Sequence, residues 1–237
     1  MMMERIVEDG SMSKINDHER VNDILLGPLE RPALKWFAEN MPAWVYPDLL
    51  TLIGIFGTFM IFGGYVLSNH HPAYLWLASL GFFVNWFGDS MDGTLARYRE
   101  IQRPKYGFFV DHVVDAFSQL LIFTGLGLSP YVRFEIASYT LIGYMMLSIL
   151  IYIQTNIRGV FKISYGKFGP TEVRAIAILV NTYSFFSGDT LINLSFVSLT
   201  VFDIVCSIIA IALFSFFFSN AIRDTIELAK IDPPKHK

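Results

Sequence analysis

Charge is the commodity this chain lacks most. Only 16% of its 237 residues are charged against 53% hydrophobic, and the mean hydropathy is +0.45. A soluble domain carries about 25% charged residues, so the shortfall and the long apolar runs point to lipid as the solvent. Cysteine is almost missing. A single one, Cys206, excludes an internal disulfide and reads as a small core residue in an apolar run. The opening MMMERIVEDG has no apolar core, so no cleavable signal peptide is expected and the early spans are read as permanent anchors. No internal repeat or low-complexity stretch occurs, and a net charge of -3 gives no reason to expect a nucleic-acid partner.

What is present in quantity is apolar helix. The expected fold class is all-α: a polytopic membrane protein of six transmembrane helices preceded by a juxtamembrane amphipathic helix. The spans run Tyr46–Ser68, Pro72–Arg97, Lys105–Leu128, Phe134–Ile157, Pro170–Phe186 and Leu199–Leu228, each judged against the roughly 20 residues that cross a bilayer. The fifth is the least apolar, since it holds Glu172, Arg174 and Asn181. Ahead of them, Pro32–Met41 sets Leu34, Phe37 and Met41 on one helical face with Trp36 beside it, the pattern of a helix lying in the membrane interface. Three segments follow: residues 1–45 as a cytosolic segment with the interfacial helix, 46–228 as the transmembrane catalytic domain, and 229–237 as a cytosolic tail.

Basic residues set the orientation. Arg5, Lys14, Arg20, Arg31 and Lys35 precede the first span, and Arg97, Arg99, Arg103 and Lys105 surround the second connection. Arg158, Lys162, Lys167 and Arg174 surround the fourth, and Arg223, Lys230, Lys235 and Lys237 lie at the C-terminal end. The alternate connections hold only Arg133. Both termini are therefore expected in the cytoplasm, and the short chain favours a bacterial inner membrane.

The chemistry concentrates in Gly88–Phe117, GDSMDGTLARYREIQRPKYGFFVDHVVDAF. Asp89 and Asp92 are three apart, Asp111 and Asp115 four apart, and each spacing puts a pair on one helical face. Counted from the cytosolic helix ends, Asp89 and Asp115 lie about 12 Å deep and Asp92 and Asp111 roughly 7 Å deep, at 1.5 Å per residue. An antiparallel helix pair would bring all four to matching depth. One aspartate at a helix centre costs about 2.5–3.5 kcal/mol to insert, and four would also repel one another. Two divalent cations would balance the four charges, and hard carboxylate oxygens suit Mg2+ or Mn2+. Gly93 and Ala96 remove bulk beside the cluster, Arg97 stands one turn beyond Gly93 where its fork could meet a diphosphate, and Gly107 opens the next helix. Singly, each also reads as a packing glycine, a packing alanine or a positive-inside arginine.

The segment resembles the CDP-alcohol phosphotransferase (CDP-alcohol phosphatidyltransferase) family, whose pattern is D-x-x-D-G-x-x-A-R, a short spacer, then G-x-x-x-D-x-x-x-D. Asp89, Asp92, Gly93, Ala96, Arg97, Gly107, Asp111 and Asp115 fill every fixed position. The resemblance implies a metal-dependent transfer of a phosphoalcohol group from a CDP-alcohol to a hydroxyl acceptor, with CMP release, in phospholipid synthesis. It implies that Asp89, Asp92, Asp111 and Asp115 bind two divalent ions, and that Asp115 also deprotonates the acceptor. Gly93, Ala96, Arg97 and Gly107 then form the CDP-donor site. A lipid or alcohol acceptor, surrounding membrane lipids and a homodimer are the expected partners.

Asp111-His112 resembles the pair found in the choline/ethanolamine branch, which joins a CDP-amino alcohol to diacylglycerol. His112 does not share the face of Asp111 and Asp115, so a structural histidine is an equal reading. Asp48 in Pro47-Asp48-Leu49-Leu50-Thr51 departs from the asparagine common in the family. Glu172 and Arg174 read as contacts to a headgroup or polar lipid, while Pro170, Thr171 and Glu172 also read as a helix start, the preferred reading. Two other functions stand beside this one. The first is a CDP-diacylglycerol donor with a small soluble acceptor. The second, a cation channel, would need polar residues continuing outward, whereas Tyr74–Val84 is almost wholly apolar.

Overall fold

A computed structural model describes residues 25–158, 169–188, 192–194 and 197–234. Among them are seven helices: α1 (Gly27–Asn40), α2 (Pro47–Leu67), α3 (Tyr74–Tyr98), α4 (Pro104–Gly127), α5 (Phe134–Arg158), α6 (Pro170–Ser187) and α7 (Val201–Ile231). Prolines open α2, α4 and α6, where the missing N–H costs nothing. At the head of α7, Thr200 Oγ1 accepts the Asp203 N–H at 3.0 Å, and Asp203 accepts the Thr200 N–H at 3.1 Å. That reciprocal cap satisfies two N-terminal donors. Six of the helices coincide with the expected spans to within three residues at either end.

Four helices, α2, α4, α5 and α7, are long and apolar enough to cross a membrane, which makes this a multi-pass membrane protein. Their outward residues, among them Leu52, Phe56, Ile142, Ile149, Ile208 and Ile211, are exposed on the protein alone and are solvated by lipid tails. Helices α3 and α6 fall below that measure because they carry the polar groups. Those groups turn inward: Asn181 of α6, 1% exposed, accepts from the Tyr65 hydroxyl at 3.2 Å and donates to Ser79 Oγ at 3.0 Å. Cys206 packs in the core with Tyr65, Phe202 and Ala137.

The sequence expectation needs three adjustments. Helix α1 starts at Gly27, not Pro32, and keeps Pro32 inside. Its early turn is held because Glu30 accepts from Trp86 Nε1 at 2.9 Å and from Ser90 Oγ at 3.0 Å. A two-stranded antiparallel hairpin, β1 (Ile192–Leu194) with β2 (Val197–Leu199), joins α6 to α7, pairing Ile192 with Leu199. Finally, α3 and α4 are not a packed antiparallel pair. They face each other across a cavity, and each packs on α2. Four carboxylates could not share a tight helix seam, so α2 takes the role of common wall. The basic residues Arg5, Lys14, Arg20, Lys162, Lys167, Lys235 and Lys237 lie outside the described residues.

Glycine makes that wall. A Cβ on Gly57 of α2 would stand 2.4 Å from the Asn85 nitrogen of α3, and one on Gly88 of α3 would stand 2.3 Å from the Gly54 nitrogen. The two backbones touch as small residues allow in membrane helices. Gly57→Leu is therefore expected to push α3 away and lower stability by at least the roughly 1–3 kcal/mol typical of overpacking. Gly63→Leu is the control, since its Cβ would meet nothing within 4 Å. Thermal unfolding in detergent should show a clear drop for the first and little change for the second.

Candidate active site

The cavity between α2, α3 and α4 is lined by Thr51, Gly54, Asn85, Asp89, Asp92, Asp111, Val114, Asp115 and Ser118, and measures about 270 Å3 including its open mouth. All four expected aspartates meet there. The helices that carry them, α3 and α4, stand apart, each against α2.

Each helix delivers its groups for a local reason. The backbone contact of Gly88 with Gly54 sets the height of α3 against α2, and Asp89 and Asp92 follow on the next residue and the next turn. Thr51, one turn into α2, donates to Asp92 Oδ2 at 2.7 Å, and the other Asp92 oxygen takes the N–H of Gly93. On α4, Asp111, Asp115 and Ser118 succeed one another along one face. Beside the carboxylates lies a polar clasp. Asn85 Nδ2 donates to Gly54 O and to Thr58 Oγ1, both at 3.1 Å, and Thr58 pairs with Ser118 Oγ at 3.0 Å. All three side chains are buried. The clasp joins the three helices through buried hydrogen bonds beside the carboxylates.

Asp89 holds a partner that sequence reasoning assigned elsewhere. Arg174 of α6 donates through Nη2 to Asp89 Oδ2 at 2.7 Å, a charge-assisted bond. Glu172 behaves as a helix start, accepting the Gly169 N–H at 2.8 Å, and it takes the Leu26 N–H at 2.8 Å as well. The usable signal for Arg174 was an arginine inside an otherwise apolar span, which is rarely left without an acidic partner. Thr51 and the Asn85–Thr58–Ser118 clasp had no such signal, because single hydroxyls and amides in spans are common packing residues.

The expected donor-site residues stand outside the cavity lining. Gly93 sits closely under Arg97, whose Nη1 would lie 3.1 Å from an added Cβ. Arg97 is exposed and donates to Thr94 Oγ1 at 3.2 Å, and Ala96 is half-buried on the same turns. Gly107, in the first turn of α4, is exposed with nothing near its missing Cβ. His112 stacks on Phe108 with ring centroids 4.1 Å apart, meets Tyr152 of α5 edge-on at 5.3 Å, and places Nδ1 2.6 Å from Phe108 O. It is packed between α4 and α5. Asp48 pairs with Arg103, which also lies over the Tyr106 ring at 3.9 Å.

As metal donors the four carboxylates supply only hard oxygens, the chemistry that fits Mg2+ or Mn2+. Among the described residues, however, no three His, Cys, Asp or Glu side chains close on one point as a ligand set. Asp89 is turned to Arg174 and Asp92 to Thr51. The donor set fits; its rotamers are those of a cluster held by internal partners.

Comparison with known proteins agrees with this geometry. A family model described as CDP-alcohol phosphatidyltransferase matches residues 44–214. An archaetidylinositol phosphate synthase of Pyrococcus horikoshii is 35% identical over 104 residues, covering 44% of this chain and 52% of that protein. Cholinephosphotransferase 1 of Gallus gallus is 27% identical over 213 residues, covering 81% and 61% respectively. The same enzyme from Bos taurus is 27% identical over 166 residues, covering 66% and 40%. The chain spans about half the length of the relatives it matches.

Proposed function

Because this chain belongs to the CDP-alcohol phosphatidyltransferase family, we propose that it transfers a phosphoalcohol group from a CDP-alcohol to a hydroxyl acceptor in phospholipid synthesis. The supporting observation is the convergence of Asp89, Asp92, Asp111 and Asp115 on one cavity. Two divalent ions, Mg2+ or Mn2+, held by these carboxylates would neutralise the diphosphate and its leaving group. Asp115, the deepest of the α4 pair, takes the proton of the acceptor hydroxyl. The acceptor oxygen then forms its bond to the phosphorus bearing the alcohol, the anhydride bond breaks, and CMP leaves. Thr51 fixes Asp92, and the clasp keeps α2, α3 and α4 at constant spacing through the reaction. Arg97, with Gly93, Ala96 and Gly107 leaving room around it, receives the CDP moiety at the cytosolic mouth.

The donor is read as CDP-choline or CDP-ethanolamine and the acceptor as diacylglycerol. Asp111-His112 supports this, as does the reach of the cholinephosphotransferase likeness across 81% of the chain. The CDP-diacylglycerol alternative draws on the relative named archaetidylinositol phosphate synthase. In this reading all six long helices, α2 through α7, cross the membrane, α1 lies in the interface, both termini face the cytoplasm of a bacterial inner membrane, and two copies form a homodimer. A panel of CDP donors and acceptors on purified protein in detergent, read by CMP release, is expected to single out the amino-alcohol donors. No CMP from any pair would overturn the proposal. Chelation should abolish the activity, and added Mg2+ or Mn2+ should restore it.

A further inference from the structure

The cavity holds a positive charge of the protein's own. Arg174 reaches from α6 to the carboxylate of Asp89, with side chains 12% and 29% exposed. The backbone behind it is tied down on both sides. Glu172, 4% exposed, holds the N–H groups of Leu26 and Gly169, and Thr171 donates to Glu30 Oε2 at 3.1 Å. Glu30 in turn holds Trp86 and Ser90, residues on the same α3 turns as Asp89. The first turn of α6 is thus locked to α1 and α3, and only the Arg174 side chain is left to move.

We propose that Arg174 is a built-in counter-cation that occupies Asp89 until a divalent ion loads, and that loading displaces its guanidinium. The inference rests on the cation reading of the aspartates given above. Four carboxylates around one cavity repel one another, and a guanidinium bonded to one of them offsets part of that repulsion. An incoming divalent ion needs the same Asp89 oxygen. Arginine and metal therefore compete, and Arg174 acts as a positioning residue that sets how readily the site fills. Keeping the fourth carboxylate neutralised also lets the cluster fold before any ion is present.

The test is a Mn2+ titration of the full chain in detergent, without nucleotide, followed by the electron paramagnetic resonance of free Mn2+ and by the melting temperature at zero metal. Arg174→Gln is expected to bind Mn2+ on the order of tenfold more tightly, about 1.4 kcal/mol, while melting lower without metal. Arg174→Lys should fall between. A merely structural arginine would move both readings downward, so equal or weaker binding by Arg174→Gln, with the unaltered protein binding normally, overturns the inference alone. If the unaltered protein binds no Mn2+, the cation reading itself fails with it. Should Arg174→Gln not fold, Arg174→Lys decides: Mn2+ binding no tighter than in the unaltered protein overturns the proposal.

Discussion

Asp115→Asn is expected to lower turnover by roughly 10²–10⁴-fold, the range a positioned general base contributes, and to stay low at Mn2+ concentrations that refill the site. Asparagine matches the volume of aspartate and keeps a carbonyl oxygen toward the cavity, so the packing of α4 on α2 near Gly125 and Phe62 is untouched. What it cannot do is take a proton. The acceptor hydroxyl must then lose its proton to water instead of to the Asp115 carboxylate. Single-turnover CMP release with saturating donor and acceptor isolates the chemical step, and paired Mn2+ titrations separate lost proton transfer from a lost ion. Unchanged single-turnover rates would remove Asp115 from the role of base.

The motif residues were legible because their chemistry is unusual for their setting. An acid in an apolar helix demands a partner, and four acids at two matched depths demand a common one. The ends of the six long helices were legible too, since proline stands at the start of three of them and hydrophobic length marks the rest. The helix neighbours were not. Nothing in the spacing of Asp89 and Asp115 distinguishes a direct α3–α4 seam from two helices leaning on a third. The choice was made by Gly54, Gly57, Gly81 and Gly88, whose value lies in a close approach that appears only when both helices are placed. The Arg174–Asp89 pair escaped for a similar reason: its separation of 85 residues carries no local signal. The β1–β2 hairpin escaped because its strands are three residues long, too short for alternation to show.

Asp92→Asn should differ from Asp115→Asn in kind. Asp92 Oδ2 receives the Thr51 hydroxyl at 2.7 Å, so an asparagine oxygen can keep that bond and the helices should stay in register. The anionic donor is gone, however, and with it one of the four charges that balance two divalent ions. Mn2+ binding and CMP release are expected to fall together, activity by at least 10²-fold at millimolar metal and partly recovering as metal is raised. Thr51→Val then isolates orientation from ligation. It leaves the Asp92 charge in place but frees its rotamer, and the loss of a hydrogen-bonded support of this kind typically costs 10–100-fold in metal affinity or activity. The ordering is the content of the prediction: Asp92→Asn below Thr51→Val in metal affinity, and Asp115→Asn below Thr51→Val in turnover even at Mn2+ concentrations that refill the site. If Asp92→Asn bound Mn2+ as tightly as the unaltered protein, its carboxylate would be a helix-packing group bonded to Thr51, and the cavity would hold its ions on Asp89, Asp111 and Asp115.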